Sequence, residues 1–356
     1  MSYLKSKFSR KGKSKEVEPL PSTVAAIKTP QELSPDNPSP SHYASPTIET
    51  PEISHEYRNN WLLRKYVLGL MWITKPIDCT TRNTRALRIW LPVRVVIKHG
   101  TEIQLSEAST LRFLRNKTSI PVPKVYCAFQ LGKTRYIMMQ HVRGKHINEG
   151  WVDRSTAEKE KLLQQLKGYF DELRSIPHPR PGTICGADMG PLFDRRIHLE
   201  GLGFGPFANE SDFNDFLRCG VGQGDELGTI AESYFNERKD LKPKVKDLVA
   251  IQDQETHKIC FTHGDANSAN ILVRGNKVVA LIDFEMAGFF PEHWEYTTAM
   301  TTAMNLEVCD DSLWKKEIGE FLKEYPRELK GEILRQEIFG MDGLRLKLLQ
   351  EAYKEV

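Results

Sequence analysis

The chain of 356 residues lacks a surplus of charge of either sign, since 50 Lys and Arg face 47 Asp and Glu and leave a net +3. A dedicated nucleic-acid binder would usually be strongly basic, so that class is not expected. A long apolar run is missing too. The longest, Tyr66 to Ile73, has eight residues, whereas crossing a bilayer takes about 20, which argues against a transmembrane segment. The N-terminus has no apolar core of the kind a secretory signal carries, so export is not expected. Six cysteines (Cys79, Cys127, Cys185, Cys219, Cys260, Cys309) contain no C-x-x-C pair. They read as reduced thiols of a cytoplasmic protein, neither a disulfide framework nor a zinc site. What is present is a normal globular balance, 40% hydrophobic and 27% charged, long enough for one large domain or two modest ones.

The first 55 residues differ from the rest. Met1 to Lys15 carry six basic residues and no acidic one, and Pro19 to Pro51 hold eight of the 20 prolines. Such a stretch buries too little apolar surface to offset its ordering entropy, so residues 1–55 are expected to be a disordered tail. Its basic start suits contact with an acidic partner or a membrane surface, or a mitochondrial presequence; a simple solvated tail is the plainer reading.

Folded sequence is expected from residue 56. Tyr57 to Leu70 has helical spacing of Trp61, Leu62, Tyr66 and Leu70. Val93 to Lys98 (VRVVIK) reads as a strand ending at His99-Gly100, and Glu102 to Asn116 reads as a helix. The prolines of Ile120-Pro-Val-Pro123 keep that segment extended. Val125 to Phe129 and Arg135 to Met139 add two strands, so a small sheet with one helix ends near Gly144. Beyond it the pattern turns helical. Ser155 and Glu158 have capping-box spacing ahead of Leu162, Leu163, Leu166, Phe170 and Leu173. Pro177 to Gly205 reads as an irregular connection, and helices are expected around Ser211 to Arg218, Gly228 to Arg238, and from Ser312 onward.

One later segment breaks the helical pattern: His263-Gly-Asp-Ala-Asn-Ser-Ala-Asn270, Ile271-Leu-Val, Arg274-Gly-Asn, Lys277-Val-Val-Ala-Leu-Ile282, Asp283-Phe-Glu. Two apolar runs around Gly-Asn predict a β-hairpin. A hairpin brings the start of its first strand beside the end of its second, so Asn270 and Asp283 meet at the open end, and Asp265 reaches it from the preceding loop. Oxygen donors of this kind suit a hard cation such as Mg²⁺ with phosphates completing its shell. Each Asp or Asn alone is an ordinary turn former; the complete string H-G-D-x4-N-I-L-V-x9-D-F-E is far less easily structural.

That string resembles the catalytic motif of the aminoglycoside phosphotransferase family, related to choline kinases and protein kinases. The likeness extends over roughly residues 90 to 300, through K-x-G, E-A, T-x-I-P-V-P and the P-x-x-W-E-Y of Pro291 to Tyr296, a string similar to phosphotransferase-like proteins abundant in fungi. The resemblance implies an α+β, two-lobed protein-kinase-like fold, with a small β-rich N-lobe (56–143) that binds nucleotide. A mainly helical C-lobe (144–356) would carry the catalytic hairpin and bind the acceptor. It implies transfer of the γ-phosphoryl group of ATP, or GTP, to a hydroxyl of a small molecule, with Asp265 as base and Mg²⁺ on Asn270 and Asp283. Lys98 would position phosphates and Glu107 would orient Lys98. Glu107 shares a helix face with Leu111 and Leu114, so its carboxylate points to an apolar seam where it needs a partner. Gln140, His141 and Val142 fall where the kinase lobe linker meets adenine.

Three departures accompany the likeness. No G-x-G-x-x-G precedes Lys98; Cys79 to Arg85 reads CTTRNTR. Asn267 stands where protein kinases place a lysine, as in the small-molecule kinases, and Glu285 replaces the glycine after Asp-Phe. The rival reading is a pseudokinase-type module that binds nucleotide or protein without turnover. A metal-dependent hydrolase built on His263 and Asp265 is a third; it needs further ligands, and His257 and His293 lack ligand spacing. The acidic Glu307, Asp310 and Asp311 would suit a cationic acceptor.

Overall fold

The first helix, α1 (Trp61–Ile73), begins later than its apolar spacing implies and turns a different face inward. Tyr57 is extended, exchanging backbone hydrogen bonds with Ala128 at 2.8 and 2.9 Å. Val67 and Leu70 reach the core, whereas Trp61, Leu62 and Tyr66, expected inside, are exposed. The structure, a computed structural model, describes residues 55–73, 85–90, 94–197, 203–222, 229–305 and 312–340. The basic and proline-rich tail, the CTTRNTR stretch up to Arg85, and Glu307, Asp310 and Asp311 lie outside the described residues.

Four strands, β1 (Arg85–Trp90), β2 (Arg94–Gly100), β3 (Val125–Leu131) and β4 (Thr134–Gln140), form an antiparallel sheet in the spatial order β1-β2-β4-β3. The helix α2 (Ser106–Lys117) joins β2 to β3. Spacing rules do not single out β1, because arginines interrupt its apolar pattern; its pairing with β2, Ala86 opposite Lys98, makes it a strand. β2 runs two residues past Lys98, so that lysine lies within the strand and not at its end.

Alternation along the strands sorts the side chains. Val95, Ile97, Cys127, Phe129, Tyr136 and Met138 pack with Val67 and Leu70 of α1. Val125, Ala128, Ile137 and Met139 pack with Ala108, Leu111 and Leu114 of α2. A bulge between Val125 and Cys127 lets β3 keep both faces apolar. Since Ile97 faces α1, its neighbour Lys98 faces α2.

The rest is mainly helical. β5 (Lys145–His146) precedes α3 (Thr156–Ser175), whose N-terminus is closed by the expected capping box of Ser155 and Glu158; all five predicted apolar residues of α3 are buried. Then follow β6 (Cys185–Gly186), α4 (Glu210–Leu217), α5 (Thr229–Glu237) and α6 (Leu241–Gln252). Next come β7 (Ile259–Thr262), β8 (Ile271–Arg274), β9 (Lys277–Leu281), β10 (Gly288–Pro291), α7 (Trp294–Asn305), α8 (Ser312–Phe321) and α9 (Pro326–Phe339). Two three-stranded sheets, β6-β10-β7 and β5-β8-β9, lie among these helices. This α+β arrangement is the two-lobed kinase-like fold.

The expected helices do not include α6 or α7. Pro243 masks α6, but it falls in the first turn, where the missing N–H costs no helical bond. Threonines mask α7: Thr297, Thr298 and Thr301 are buried and return their hydroxyls to the carbonyls of Trp294, Glu295 and Thr297 at 3.2, 2.9 and 2.8 Å. Among the described residues no helix is long and apolar enough to cross a membrane, and Cys127, Cys185, Cys219 and Cys260 are buried free thiols.

Candidate active site

The predicted hairpin forms from β8 and β9, with Ile271 opposite Leu281 and Gly275 in the left-handed turn conformation (φ 59°). One residue, Ile282, closes its open end in both directions. Its N–H donates to Asn270 O at 2.9 Å, and its carbonyl accepts from His263 Nε2 at 3.0 Å. His263 Nδ1 in turn accepts the Asp265 N–H at 3.2 Å, so the ring holds its proton on Nε2. Burial lowers its pKa, and the neutral ring packs on Phe284 with centroids 4.2 Å apart. His263 therefore fixes the loop and is spent as a metal ligand, which removes the basis of the hydrolase reading.

Gly264 makes the turn possible. Its φ is 82°, and a Cβ there would collide with Met286 O. The N–H groups of His263 and Gly264 both donate to the Glu295 carboxylate, at 2.6 and 3.1 Å. Glu295 lies in the first turn of α7, where a carboxylate also faces the positive end of the helix dipole. This is the physical content of the W-E-Y string, whose role the residue pattern alone did not reveal.

Two amides grip Asp265. Asn267 Nδ2 donates to Oδ1 at 2.8 Å, and Asn270 Nδ2 donates to Oδ2 at 2.8 Å. Asn267 Oδ1 meanwhile accepts the Ala269 N–H at 2.9 Å, so its whole side chain is committed. Burial and the nearby Asp283 carboxylate nevertheless push the Asp265 carboxyl up to about 6. It is thus ionised at neutral pH yet basic enough to take a proton. Because Asn270 turns its Nδ2 to Asp265, its Oδ1 is the end left to meet a cation.

The predicted Lys98–Glu107 pair is formed. Lys98 Nζ lies 2.8 Å from both carboxylate oxygens of Glu107, which is 1% exposed. The same Nζ lies 2.7 Å from Asp283 Oδ1. Burial alone would lower the Lys98 pKa, but Glu107 and Asp283 outweigh it and raise the value. Lys98 likewise outweighs burial at Asp283 and lowers its pKa. Asp283 is a non-glycine residue in the left-handed region (φ 67°, ψ 59°), a conformation its surroundings must enforce. Glu285 is buried beside this group and ion-paired with Arg195. Burial and Asp283 push its carboxyl up to about 8. The contact of Arg195 with Glu285 was not legible beforehand, because the segment from Pro177 to Gly205 reads only as irregular.

Asp265 and Asp283 bring carboxylate oxygens to this point, while Glu107 is held by Lys98 and Glu285 by Arg195. With the amide oxygen of Asn270, this is a hard-oxygen donor set that fits a divalent cation of the Mg²⁺ type. Gln140 stands at the end of β4 with its N–H given to Lys124 O at 2.8 Å, so that amide is spent inside the fold. His141 and Val142 follow in half-buried, non-regular backbone. His257 and His293, apart in sequence, do come together in space, around Glu210.

The fold is that of the kinase-like phosphotransferases. The model of the phosphotransferase enzyme family (APH) matches residues 101–329, and the chain belongs to that family. Among solved structures, aminoglycoside phosphotransferase APH(4)-Ia superposes with a TM-score of 0.51 and 14% identity over 77% of this chain and 87% of that one. APH(2")-IIa in ternary complex with streptomycin and ATP gives 0.50 and 15% over 84% and 97%. A thermostable mutant of APH(4)-Ia with AMP-PNP and hygromycin B gives 0.50 and 15% over 76% and 87%. At these identities the likeness is one of fold. No curated protein matches the chain significantly.

Proposed function

We propose that the chain transfers the γ-phosphoryl group of ATP to a hydroxyl of a small molecule. The observation that carries this is the Asp265 carboxylate, held by Asn267 and Asn270 beside the Lys98–Asp283 pair. In this reading Asp265 accepts the acceptor's hydroxyl proton as the acceptor oxygen bonds to the γ-phosphorus and the bond to the leaving ADP oxygen breaks. Lys98, aimed by Glu107, binds the nucleotide phosphates. Asn270 and Asp283 hold Mg²⁺, which supplies neutralisation of phosphate charge when bound. Residues 56–143 bind nucleotide, with His141 and Val142 of the linker toward the base, and 144–356 carry catalysis and the acceptor. The ATP and AMP-PNP bound to two of the similar structures support ATP as the donor.

Catalysis of this kind is mostly positioning and electrostatics, and this chain's residues supply both. His263 and Glu295 fix the loop backbone, Asn267 aims the base, and burial sets its basicity. The test is a panel of hydroxyl compounds incubated with the protein and ATP labelled in the γ-phosphoryl group. Labelled phosphate ester is expected with at least one acceptor, dependent on Mg²⁺ and lost in Asp265→Asn. MgATP binding with no ester from any acceptor would favour a binding module instead.

A further inference from the structure

Glu210, His257 and His293 stand in three separate parts of the chain and converge on one point. Glu210 is in the first turn of α4, His257 two residues ahead of β7, and His293 just ahead of α7. The His257 N–H donates to Glu210 Oε2 at 2.6 Å, which turns the other oxygen, Oε1, toward the two rings. Oε1 lies 2.8 Å from His257 Nδ1 and 3.5 Å from His293 Nε2. The rings meet at 73° with centroids 4.6 Å apart. One donor atom from each residue falls within 4.8 Å of the others.

From this geometry we propose that Glu210 Oε1, His257 Nδ1 and His293 Nε2 form a binding site for a borderline transition-metal dication of the Zn²⁺ type. Two imidazoles and one carboxylate suit that class, whereas Mg²⁺ and Ca²⁺ take oxygen ligands. Four-coordinate zinc with bonds of about 2.0–2.1 Å places its ligands roughly 3.3–3.5 Å apart. The Glu210–His293 spacing already meets this; the Glu210–His257 hydrogen bond opens slightly as the ion replaces its proton.

The surroundings add an independent feature. The His257 side chain is only 8% exposed, and its outer nitrogen, Nε2, has no hydrogen-bond partner. That nitrogen lies 3.7 Å from Glu328 Oε1 and 3.7 Å from Glu255 Oε1. A histidine that ligates through one nitrogen commonly points the other at a carboxylate, which fixes the tautomer and raises its basicity. Arg327 contacts both outer carboxylates, Glu328 at 3.2 Å and Glu255 at 3.4 Å, and so offsets their charge without touching the inner triad. His293 is also placed to matter elsewhere: two residues on, Glu295 grips the loop before Asp265, and β7 leads from His257 to His263. Metal here would pin the scaffold behind the active site.

The test uses the full chain, freed of metal with a chelator and titrated with Zn²⁺ by calorimetry in two buffers of different ionisation enthalpy. One saturable site with proton release is expected. His293→Gln should weaken it by about 100-fold or more, and Glu328→Gln by about 10-fold. Substituting Co²⁺ in the wild type should give the visible bands of low-coordinate nitrogen and oxygen ligation, a readout that needs no variant to fold. Absence of saturable binding, a Co²⁺ spectrum with thiolate charge transfer, or unchanged affinity in a folded His293→Gln would each overturn the assignment.

Discussion

Lys98 Nζ and Asp283 Oδ1 lie 2.7 Å apart although 185 positions separate them in the chain. The lysine comes from the middle of β2 and the aspartate from just past β9, so their contact ties the N-terminal sheet to the open end of the hairpin. Glu107 completes the group from α2, on the sheet face opposite α1. A single ammonium is thus shared between two carboxylates, one of them fully buried.

Replacing Lys98 by Ala should therefore do two separable things. It removes the cation proposed to hold phosphates, and it strands Glu107 in the core, which typically costs about 3–5 kcal/mol. The double variant Lys98→Met with Glu107→Leu should recover most of that stability without recovering use of ATP. Denaturant unfolding and kcat/KM for ATP on the same samples check both halves. Equal stability loss in the single and double variants would mean that the Lys98–Glu107 contact is not what the sheet depends on.

Asp265 gives a pH signature. Its carboxyl lies at about 6 in the folded chain against 3.8 ordinarily. The acid limb of kcat/KM should then fall near pH 6 in the free enzyme. Asn267→Ala removes a hydrogen bond that favours the carboxylate, so it should move the limb upward and lower kcat, by about tenfold as an order of magnitude. The stability sign follows from the same shift. A raised folded pKa means that the contribution of Asp265 is fully present below the unfolded value and is lost as pH rises through about 6. Asp265→Asn should abolish that part of the pH slope in thermal unfolding.

Gly264→Ala should be costly out of proportion to one methyl group. The residue sits at φ 82° with Met286 O where the Cβ would go. A loss of about 2–3 kcal/mol or more is expected from strain and collision together. Thermal unfolding reads it directly. A variant as stable as the wild type would show that the loop has another path.

The hairpin and its Asp265, Asn270 and Asp283 could be read from the chain because the hairpin is local: apolar runs, a Gly-Asn turn and strand-end polar residues lie within 21 positions. The Lys98–Glu107 pair was legible only with the family likeness: a carboxylate on an otherwise apolar helix face calls for a partner, and the resemblance supplied Lys98. Glu295 was not, since its role consists of accepting two backbone N–H groups, which leave no mark on side-chain spacing. The inward face of α1 was misjudged because Tyr57 pairs with Ala128, a contact set by tertiary structure. His257 and His293 lack ligand spacing in the sequence and Glu210 carries no signal there; only the packing of α4, β7 and α7 brings the three together.

The division of labour between base and metal ligand is tested most directly by pairing two near-isosteric variants. Calorimetry gives ATP affinity with and without Mg²⁺, and turnover is followed with an accepted hydroxyl compound. Asp265→Asn should keep Mg²⁺-dependent ATP affinity while turnover falls by orders of magnitude. Asp283→Asn should lose the Mg²⁺-dependent part of the affinity itself, because a negative charge beside the cation is gone. If both variants lose affinity and turnover to the same extent, the assignment of Asp265 as base and Asp283 as ligand is contradicted.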